Sequence, residues 1–218
     1  MTEAPEQSPK SIFVLGASGG VGRQIVTQAL ARGLSVTAQS RDADKLKNVR
    51  GAVHVVALDP TDTGALETSL VGHDAVIFAL GDMSRQTTLF SDVTRALLPA
   101  MKKVGVNRLI AITGVGAGET KGHGGFIYDN IIFPLFTKHI YANKNVQEDL
   151  IVASDLDWVI VRPAPFSEKG SDGRLQEITR VEAGTKLRRI TRSEVATFVL
   201  NQLASDDYLS EKVFIGHT

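Results

Sequence analysis

The sequence predicts an α/β fold in which a doubly wound, Rossmann-type parallel sheet is covered by helices on both faces. Short apolar runs rich in valine and isoleucine alternate with longer segments of helical period along most of the 218 residues, which indicates repeated strand–helix–strand units. The runs are apolar at nearly every position, as expected of strands buried on both faces. This length favours a single domain. We assign it to residues 11–218, after a polar, proline-bearing tail at residues 1–10 that is predicted to be disordered.

Each predicted element follows from its local pattern. The first strand, Ser11–Leu15, precedes a helix at Gly20–Arg32 that carries Val21 and Ile25 on one face and is stopped by Gly33. Further strands are predicted at Ser35–Gln39, Val53–Ala57, Ala75–Ala79, Arg108–Ile112, Trp158–Val161 and Val213–Ile215. Helices are predicted between them at Asp42–Lys47, Asp62–Leu70, Thr87–Lys103 and about Tyr141–Ala153.

The pattern changes after Arg162, where prolines and glycines fall close together at positions 163, 165, 170 and 173 and interrupt regular structure. We interpret residues 162–192 as a small appendage on the substrate side. A last helix is predicted to begin at Thr191, because Thr191 and Glu194 have the spacing of a capping box, and to end near Ala204.

Composition excludes several classes of function. The chain has 24 Lys and Arg against 24 Asp and Glu, and no cysteine. Disulfide scaffolds, thiol nucleophiles, iron–sulfur clusters and thiolate zinc sites are therefore excluded, and a cytoplasmic location is expected. Because like charges do not cluster, no nucleic-acid partner is predicted. No membrane partner is predicted either, since Pro134 and several polar residues interrupt the longest apolar stretch, Phe126–Ala142.

A glycine-rich loop, GASGGVG, joins the first strand to the first helix. Gly16, Gly19 and Gly22 are spaced three apart, so that the first permits a tight turn, the second admits a pyrophosphate and the third allows close helix–strand packing. The loop predicts dinucleotide binding. The same residues also match the nucleophile elbow G-x-S-x-G of α/β-hydrolases around Ser18, but that elbow belongs to an inner strand and no histidine partner is marked.

Cofactor choice is predicted from the end of the second strand, where an acidic residue would bind the ribose of NAD. The chain has Gln39, Ser40 and Arg41 there. A guanidinium can bind a 2′-phosphate with two hydrogen bonds, so NADP(H) is predicted in preference to NAD(H). Alternatively, Arg41 is a solvated residue at the start of the next helix, with Asp42 as its cap.

Two further strand ends are candidate cofactor contacts. Asp59 follows the third strand and is a candidate adenine contact, although an aspartate before Pro60 is also a common turn former. Ala79, Leu80 and Gly81 follow the fourth strand, where a cofactor ribose would pass or where the glycine simply makes a turn.

From about Lys10 to Gly216 the chain resembles the atypical short-chain dehydrogenase/reductases of the NmrA-like, NAD(P)H-binding kind. The resemblance rests on VLGASGGVGRQIV, SRDADKL, VVALDPTD, DAVIFALG, VNRLIAITGVGAG, the K-x-x-x-E helix with SDLDWVIVRP, and RRITRSEVATFVLNQL. Within this group, the chain is most similar to the biliverdin-IXβ/flavin reductase branch. The resemblance implies an NADPH bound across the strand ends and hydride transfer to a flavin, quinone or tetrapyrrole-like acceptor.

The resemblance also implies roles for individual residues. Thr113 stands where the superfamily keeps a hydroxyl donor, and Lys144 matches the lysine of the K-x-x-x-E helix. The predicted catalytic residues are Thr113, Tyr141 and Lys144. The predicted cofactor-binding residues are Gly16, Ala17, Ser18, Gly19, Gly20, Val21, Gly22, Ser40, Arg41, Asp59, Ala79, Leu80, Gly81, Thr113, Lys144, Pro163, Ala164 and Pro165.

The chain departs from the superfamily pattern at the proton donor. Tyrosine and lysine should be four apart to share a helical face, but Tyr141 and Lys144 are three apart. Tyr141 is either an acid or an interfacial aromatic residue. Gly114 stands where biliverdin-reducing relatives tend to carry serine. Because reduction of a flavin or quinone can take its proton from solvent, these departures favour a planar, redox-active acceptor.

The segment between Thr113 and the sixth predicted strand is expected to shape the acceptor site. Six glycines occur in residues 114–125, which predicts a mobile flap. The aromatic run Phe126–Phe136 either walls the acceptor site, packs on the sheet or forms a subunit contact. His123 and His139 are expected to be solvated, and no metal site is predicted.

We therefore expect an NADPH-dependent reductase of a small, planar acceptor, acting as a monomer or a homodimer. The main alternative is a non-catalytic, NADP(H)-sensing regulatory protein of NmrA-like type. A nucleotide-sugar isomerase or epimerase is disfavoured, because such relatives usually carry a larger substrate domain and the Tyr–Lys pair.

Overall fold

The computed structural model describes residues 9–47, 49, 51, 53–82, 84, 87–117, 138–170, 173–182, 185 and 187–218. Within these ranges the strands are β1 (Ser11–Leu15), β2 (Ser35–Gln39), β3 (His54–Val56), β4 (Ala75–Phe78), β5 (Arg108–Ile112), β6 (Asp157–Pro163), β7 (Leu175–Ile178) and β8 (Glu211–His217). The helices are α1 (Gly20–Ala31), α2 (Thr63–Leu70), α3 (Leu89–Val104), α4 (Lys138–Val152) and α5 (Arg192–Asn201), with a single 3₁₀ turn at Ala43–Leu46.

The described strands form one sheet in the order β3-β2-β1-β4-β5-β6-β8-β7. Neighbouring strands are parallel throughout, except that β7 runs antiparallel to β8. Chain order reverses between β1 and β4, where β2 and β3 lie to one side and β5 and β6 to the other. In sheets of this kind, ligands bind outside the carboxyl ends of the strands at such a reversal. The predicted fold class is confirmed.

Both faces of the sheet are buried, which explains why its central strands are apolar at successive positions. In β1, Ile12 and Val14 belong to one hydrophobic cluster, which includes residues of α1 and α5. Phe13 and Leu15 belong to the opposite cluster, which includes residues of α2, α3 and α4. The helices thus form one layer on each side of the sheet, and each layer packs on the sheet through one of the two hydrophobic clusters.

Helix ends follow the local signals. Gly105 ends α3 in the left-handed conformation, at φ 77°, which glycine adopts at little cost. The predicted capping box at α5 is present: the Thr191 amide donates to Glu194 Oε2 at 2.9 Å, and the Glu194 amide donates to Thr191 Oγ1 at 3.2 Å. This cap fixes where α5 begins, at the carboxyl edge of the sheet.

The structure differs from the sequence prediction at three elements. The helix predicted at Asp42–Lys47 is a 3₁₀ turn at Ala43–Leu46. The strand β7, inside the predicted appendage, was not expected, and it pairs with β8 as an edge strand of the main sheet. Helix α4 begins at Lys138 and not near Tyr141. Residues 1–8 of the predicted tail, residues 118–125 of the predicted flap, including His123, and the aromatic run Phe126–Phe136 lie outside the described residues. His139 is exposed.

No helix in the described ranges is both long enough and apolar enough to cross a membrane.

Candidate functional site

The glycine loop packs against the sheet so closely that side chains would not fit. Gly16 has φ 76°, and a Cβ on it would lie 2.8 Å from the Ala79 carbonyl oxygen. A Cβ on Gly22 would lie 2.2 Å from the Gly16 carbonyl oxygen. Gly19 is the N-cap residue of α1. Among the described residues, no side chain accepts a hydrogen bond from the first amides of this helix as a cap. The positive end of α1 therefore opens at the carboxyl edge of the sheet, where an anion can approach the backbone.

Gln39, the last residue of β2, holds this loop in place. Its Oε1 accepts from the Gly16 amide at 3.1 Å, and its Nε2 donates to the Leu58 carbonyl at 2.9 Å. Its own carbonyl accepts from the Ala17 amide at 3.1 Å. Gln39 is only 1% exposed, so these bonds are shielded from water. Sequence reasoning placed Gln39 beside the cofactor but missed this role, although a polar residue ending a buried strand is a signal for it.

A cleft of about 700 Å³ extends from the glycine loop across the ends of β2, β3 and β4. It is lined by Gly16, Ser18, Gly19, Gln39, Ser40, Arg41, Lys45, Ala57, Leu58, Asp59, Pro60, Thr61, Leu80, Gly81 and Leu89. Eight of the predicted cofactor-binding residues are in this set: Gly16, Ser18, Gly19, Ser40, Arg41, Asp59, Leu80 and Gly81. Ala17 and Gly22 are buried behind it, while Ala79 lies at 9% exposure beneath Gly16.

The charged side chains that line the cleft follow β2 and β3. Arg41 is exposed and lies beside Lys45 in the lining. The pKa of Asp59 is lowered by hydrogen bonds from the Thr61 amide and hydroxyl, with a further contribution from the charge of Arg41. Partial burial opposes a low pKa at Asp82, but bonds from Thr87 and Ser84 and the charge of Arg41 outweigh it. The charge of Arg41 thus helps to keep both carboxylates ionised.

Ser40 lines the cleft and also makes local hydrogen bonds. Its hydroxyl donates to the Asp42 carbonyl at 2.7 Å and accepts from the Asp42 amide at 3.2 Å. The Asp42 side chain caps the following 3₁₀ turn, which is the cap expected under the alternative interpretation of Arg41. Ser40 and Asp42 thus fix the turn that carries Arg41 and Lys45.

At the ends of β5 and β6, the predicted catalytic residues meet a buried ionic network. The Thr113 hydroxyl donates to Glu148 Oε1 at 2.7 Å. Arg162 binds the same carboxylate with Nε at 3.1 Å and Nη2 at 2.6 Å, and Lys212 Nζ lies 3.7 Å from it. Arg162 is fully buried and Glu148 is 1% exposed.

Lys144 lies on the same side of α4 as Glu148 and bonds to the backbone of β5. Its Nζ donates to the carbonyl oxygens of Thr113 at 2.9 Å and Ile112 at 3.3 Å, and it lies 4.4 Å from the centre of the Phe90 ring. Burial lowers the pKa of Lys144 to about 8, and the charge of Glu148 opposes this shift.

Tyr141 and Gly114 meet at the same strand end. A Cβ on Gly114, which has φ 136°, would lie 2.9 Å from the Tyr141 hydroxyl. Glycine at this position therefore leaves space for the phenol. The structure brings Thr113, Tyr141 and Lys144 together around the end of β5, and Glu148 follows Lys144 by one turn of α4.

The predicted loop Pro163–Pro165 leaves β6 beside this network. The Ala164 amide donates to the Ile215 carbonyl at 2.8 Å, and the carbonyl of Pro163 accepts from the Val115 amide at 3.0 Å. Glu148 and Arg162 were not predicted as site residues. A charged residue within the apolar run of β6, and the four-residue spacing of Lys144 and Glu148 on one helix, were the signals available for them. No group of three or more potential metal ligands occurs among the described residues.

A profile of the NAD(P)H-binding family matches residues 16–206. The chain belongs to this NAD(P)H-binding family. The geometry of the glycine loop is that of a dinucleotide-binding loop, since Gly16 allows its tight turn and Gly22 allows close packing of helix and strand. The family resemblance inferred from the sequence is confirmed.

Similar proteins include UPF0659 protein YMR090W of Saccharomyces cerevisiae, which is 26% identical over 90% of this chain and 88% of its own length. Among solved structures, an anaerobillin reductase of Escherichia coli O157:H7, ChuY, has a TM-score of 0.78 at 21% identity, covering 95% of this chain and 97% of that one. A short-chain dehydrogenase/reductase of Veillonella parvula, solved with NADP, has a TM-score of 0.74 at 17% identity, covering 96% and 95%. At these identities the solved structures show a shared fold.

Proposed function

We propose that this member of the NAD(P)H-binding family is an NADPH-dependent reductase of a planar aromatic acceptor such as a flavin or quinone. The cofactor would lie in the cleft, with its pyrophosphate on the glycine loop and its adenosine over the carboxyl ends of β2 and β3. Gly16, Ser18 and Gly19 would receive the pyrophosphate, and Asp59 and the residues after β4 would flank the adenosine and ribose.

Preference for NADPH rests on the charges at the end of β2. Arg41 and Lys45 both line the cleft, and a phosphate on the adenosine ribose would find two cations there. The position where an NAD-dependent protein needs a carboxylate is filled by Gln39, whose amide is committed to Gly16 and Leu58. We infer that Arg41 is the main 2′-phosphate ligand, with Lys45 as a second positive charge.

The acceptor is inferred from the commitments of the groups at the end of β5. The observation that carries this inference is that Thr113 donates its hydroxyl proton to Glu148 while Lys144 donates to two backbone carbonyls. Neither group is arranged as a proton relay to a substrate carbonyl. Bound NADPH would supply a hydride, which carries two electrons, and the reduced acceptor would take its further proton from water. The ends of β5 and β6 would serve to position the acceptor and exclude competing orientations.

A conjugated acceptor is in keeping with the solved neighbour described as an anaerobillin reductase. The same internal commitments would also suit a protein that binds NADP(H) and signals its presence without turnover. The two functions differ in one measurable respect, since only the reductase consumes NADPH.

The deciding experiment follows the near-ultraviolet absorbance of NADPH with purified protein and a panel of FMN, FAD, riboflavin and quinones. We expect protein-dependent oxidation with at least one acceptor, faster with NADPH than with NADH. Blanks without protein correct for direct reduction of the acceptor by NADPH. Arg41→Ala, which lacks the proposed 2′-phosphate ligand, is the protein control for the faster reaction with NADPH. Tight NADPH binding without consumption in any assay would favour the sensing function.

A further inference from the structure

The glycine loop contains one glycine that the dinucleotide motif does not explain. Gly20 is the first residue of α1 and is not among the three glycines of the motif. Its backbone is outside the left-handed region, so its conformation does not require glycine. A Cβ on Gly20 would lie 2.7 Å from Arg192 Nε and 2.8 Å from Arg192 Cδ. Gly20 therefore leaves space for the Arg192 side chain.

The position of Arg192 follows from the packing of two parallel helices. Arg192 is the first residue of α5, which the Thr191 capping box fixes. Helix α5 lies beside α1: Gln28 Nε2 donates to the Ser193 carbonyl at 3.0 Å, and Arg32 Nη1 donates to Asn201 Oδ1 at 3.0 Å. Both helices begin at the carboxyl edge of the sheet, so Arg192 extends over the start of α1.

The guanidinium of Arg192 is held by the segment that follows β6. Its Nη1 lies 2.5 Å from Glu168 Oε1, and its Cζ lies 5.0 Å from the centre of the Phe166 ring. The Arg192 side chain is 37% exposed and that of Glu168 is 89% exposed. An ion pair this accessible to water exchanges easily for a stronger anion.

We propose that Arg192 is a pyrophosphate-binding residue of the cofactor site, and that the pyrophosphate displaces Glu168 from it. This inference rests on the proposed binding of NADP(H). The glycine loop itself, Gly16–Gly22, contains no positively charged side chain, while the cations lining the cleft, Arg41 and Lys45, both follow β2. Arg192 places a positive charge beside the loop, where a diphosphate carries two negative charges. A guanidinium binds such oxygens with two hydrogen bonds.

Glu168 then has a defined effect on the site. Its carboxylate competes with the pyrophosphate for Arg192. Removal of the carboxylate charge should strengthen cofactor binding, but only while Arg192 is present. In a double-mutant cycle, removal of the Glu168 charge should therefore tighten NADP⁺ binding only in proteins that retain Arg192.

The test measures dissociation constants by calorimetry for NADP⁺ and for adenosine 2′-monophosphate, which carries the 2′-phosphate but no pyrophosphate. Arg192→Ala should weaken NADP⁺ binding roughly tenfold or more and leave binding of adenosine 2′-monophosphate unchanged. Arg192→Lys should restore part of the loss. Glu168→Gln should tighten NADP⁺ binding roughly two- to fivefold in the wild-type background and have no effect in Arg192→Ala.

Arg32→Ala is the matched control, because Arg32 bridges the same two helices at their other ends. It should leave both dissociation constants unchanged, and thermal denaturation confirms that each variant is folded. Equal NADP⁺ affinity in wild type and Arg192→Ala would overturn the inference about Arg192 but not the proposed function. An equal loss of affinity for adenosine 2′-monophosphate in Arg192→Ala would do the same. A wild-type protein that binds neither NADP⁺ nor NADPH would overturn the proposed function as well.

Discussion

The Thr113 hydroxyl and the Glu148 carboxylate are joined by a buried hydrogen bond of 2.7 Å between β5 and α4. The same carboxylate neutralises Arg162, which has no exposed surface. One acidic side chain thus connects the end of β5, helix α4 and the end of β6. The geometry of the proposed acceptor site depends on it.

Removal of the Glu148 charge should destabilise the fold. In Glu148→Gln, Arg162 would remain buried without its counter-ion, which costs about 3–5 kcal/mol in the free energy of unfolding. Urea denaturation measures this loss. Asp155→Asn is the control, since Asp155 is 89% exposed and pairs with an exposed Lys102, and only a small change is expected there. Equal stability of the two variants would contradict a structural role for the buried pair.

Lys144 should give a distinct pH dependence of stability. Its pKa is about 8 in the folded protein, against an ordinary value of 10.5. Below pH 8 the ammonium is charged in both states and its burial cost is fully present. Between pH 8 and 10.5 the unfolded chain binds the proton that the folded chain has lost, so rising pH favours folding.

Wild type should therefore gain stability relative to Lys144→Met across that window, on the order of 3 kcal/mol at most. Urea denaturation of both proteins at several pH values measures the difference, and comparison with the variant removes the titration of other groups. A constant difference between pH 8 and 10.5 would show that the Lys144 pKa is not lowered.

Tyr141→Phe tests the source of the proton. If the reduced acceptor takes its proton from water, the variant should keep kcat with a flavin acceptor within about twofold. Loss of a general acid would instead lower kcat by about 10²- to 10⁴-fold. Steady-state turnover with saturating NADPH measures this. Such a loss would assign Tyr141 as the acid and contradict proton transfer from water.

Arg41→Ala should weaken NADPH binding and leave NADH binding unchanged. A charge-assisted hydrogen bond contributes about 1.5–3 kcal/mol, which corresponds to roughly 10- to 100-fold in the dissociation constant. Lys47→Ala is the matched control, because Lys47 is exposed on the same turn and pairs with Asp44 outside the cleft lining. Equal losses for NADPH and NADH would exclude a 2′-phosphate contact.

Gly22→Ala should destabilise the protein and weaken cofactor binding together. The added Cβ would lie 2.2 Å from the Gly16 carbonyl oxygen and 2.8 Å from Ala17 Cα, and overpacking of this kind costs about 1–3 kcal/mol. Gly64→Ala is the opposite case, since the nearest atom is Asp62 Oδ1 at 3.5 Å and alanine favours helix by up to about 1 kcal/mol. Thermal denaturation should show opposite shifts.

The sequence was sufficient to predict the elements whose signals are local. The glycine loop stands between a buried strand and an amphipathic helix, and the capping box at Thr191 fixes α5 by itself. Strand β7 was missed because Leu175–Ile178 is neither uniformly apolar nor cleanly alternating, and it is only partly buried. It is a strand because β8 supplies its hydrogen-bonding partner, which no local pattern shows.

The same distinction holds in the site. Arg41 was predicted because it follows the second strand, and Lys144 because the family resemblance implies it. The contacts of Glu148 with Arg162, and of Gly20 with Arg192, were not, because they join residues whose proximity depends on how α4 packs on β6 and α5 beside α1. Tertiary packing decides which polar groups are committed internally and which face a ligand.

Gln39 limits how the proposed preference for NADPH can change. Its amide donates at one end and accepts at the other, whereas a carboxylate can only accept. Glutamate at this position would place an acceptor against the Leu58 carbonyl, so the simplest acidic replacement would disturb the loop that every dinucleotide needs. Laboratory evolution towards NADH should therefore retain Gln39 and find its substitutions at positions 40, 41 and 45.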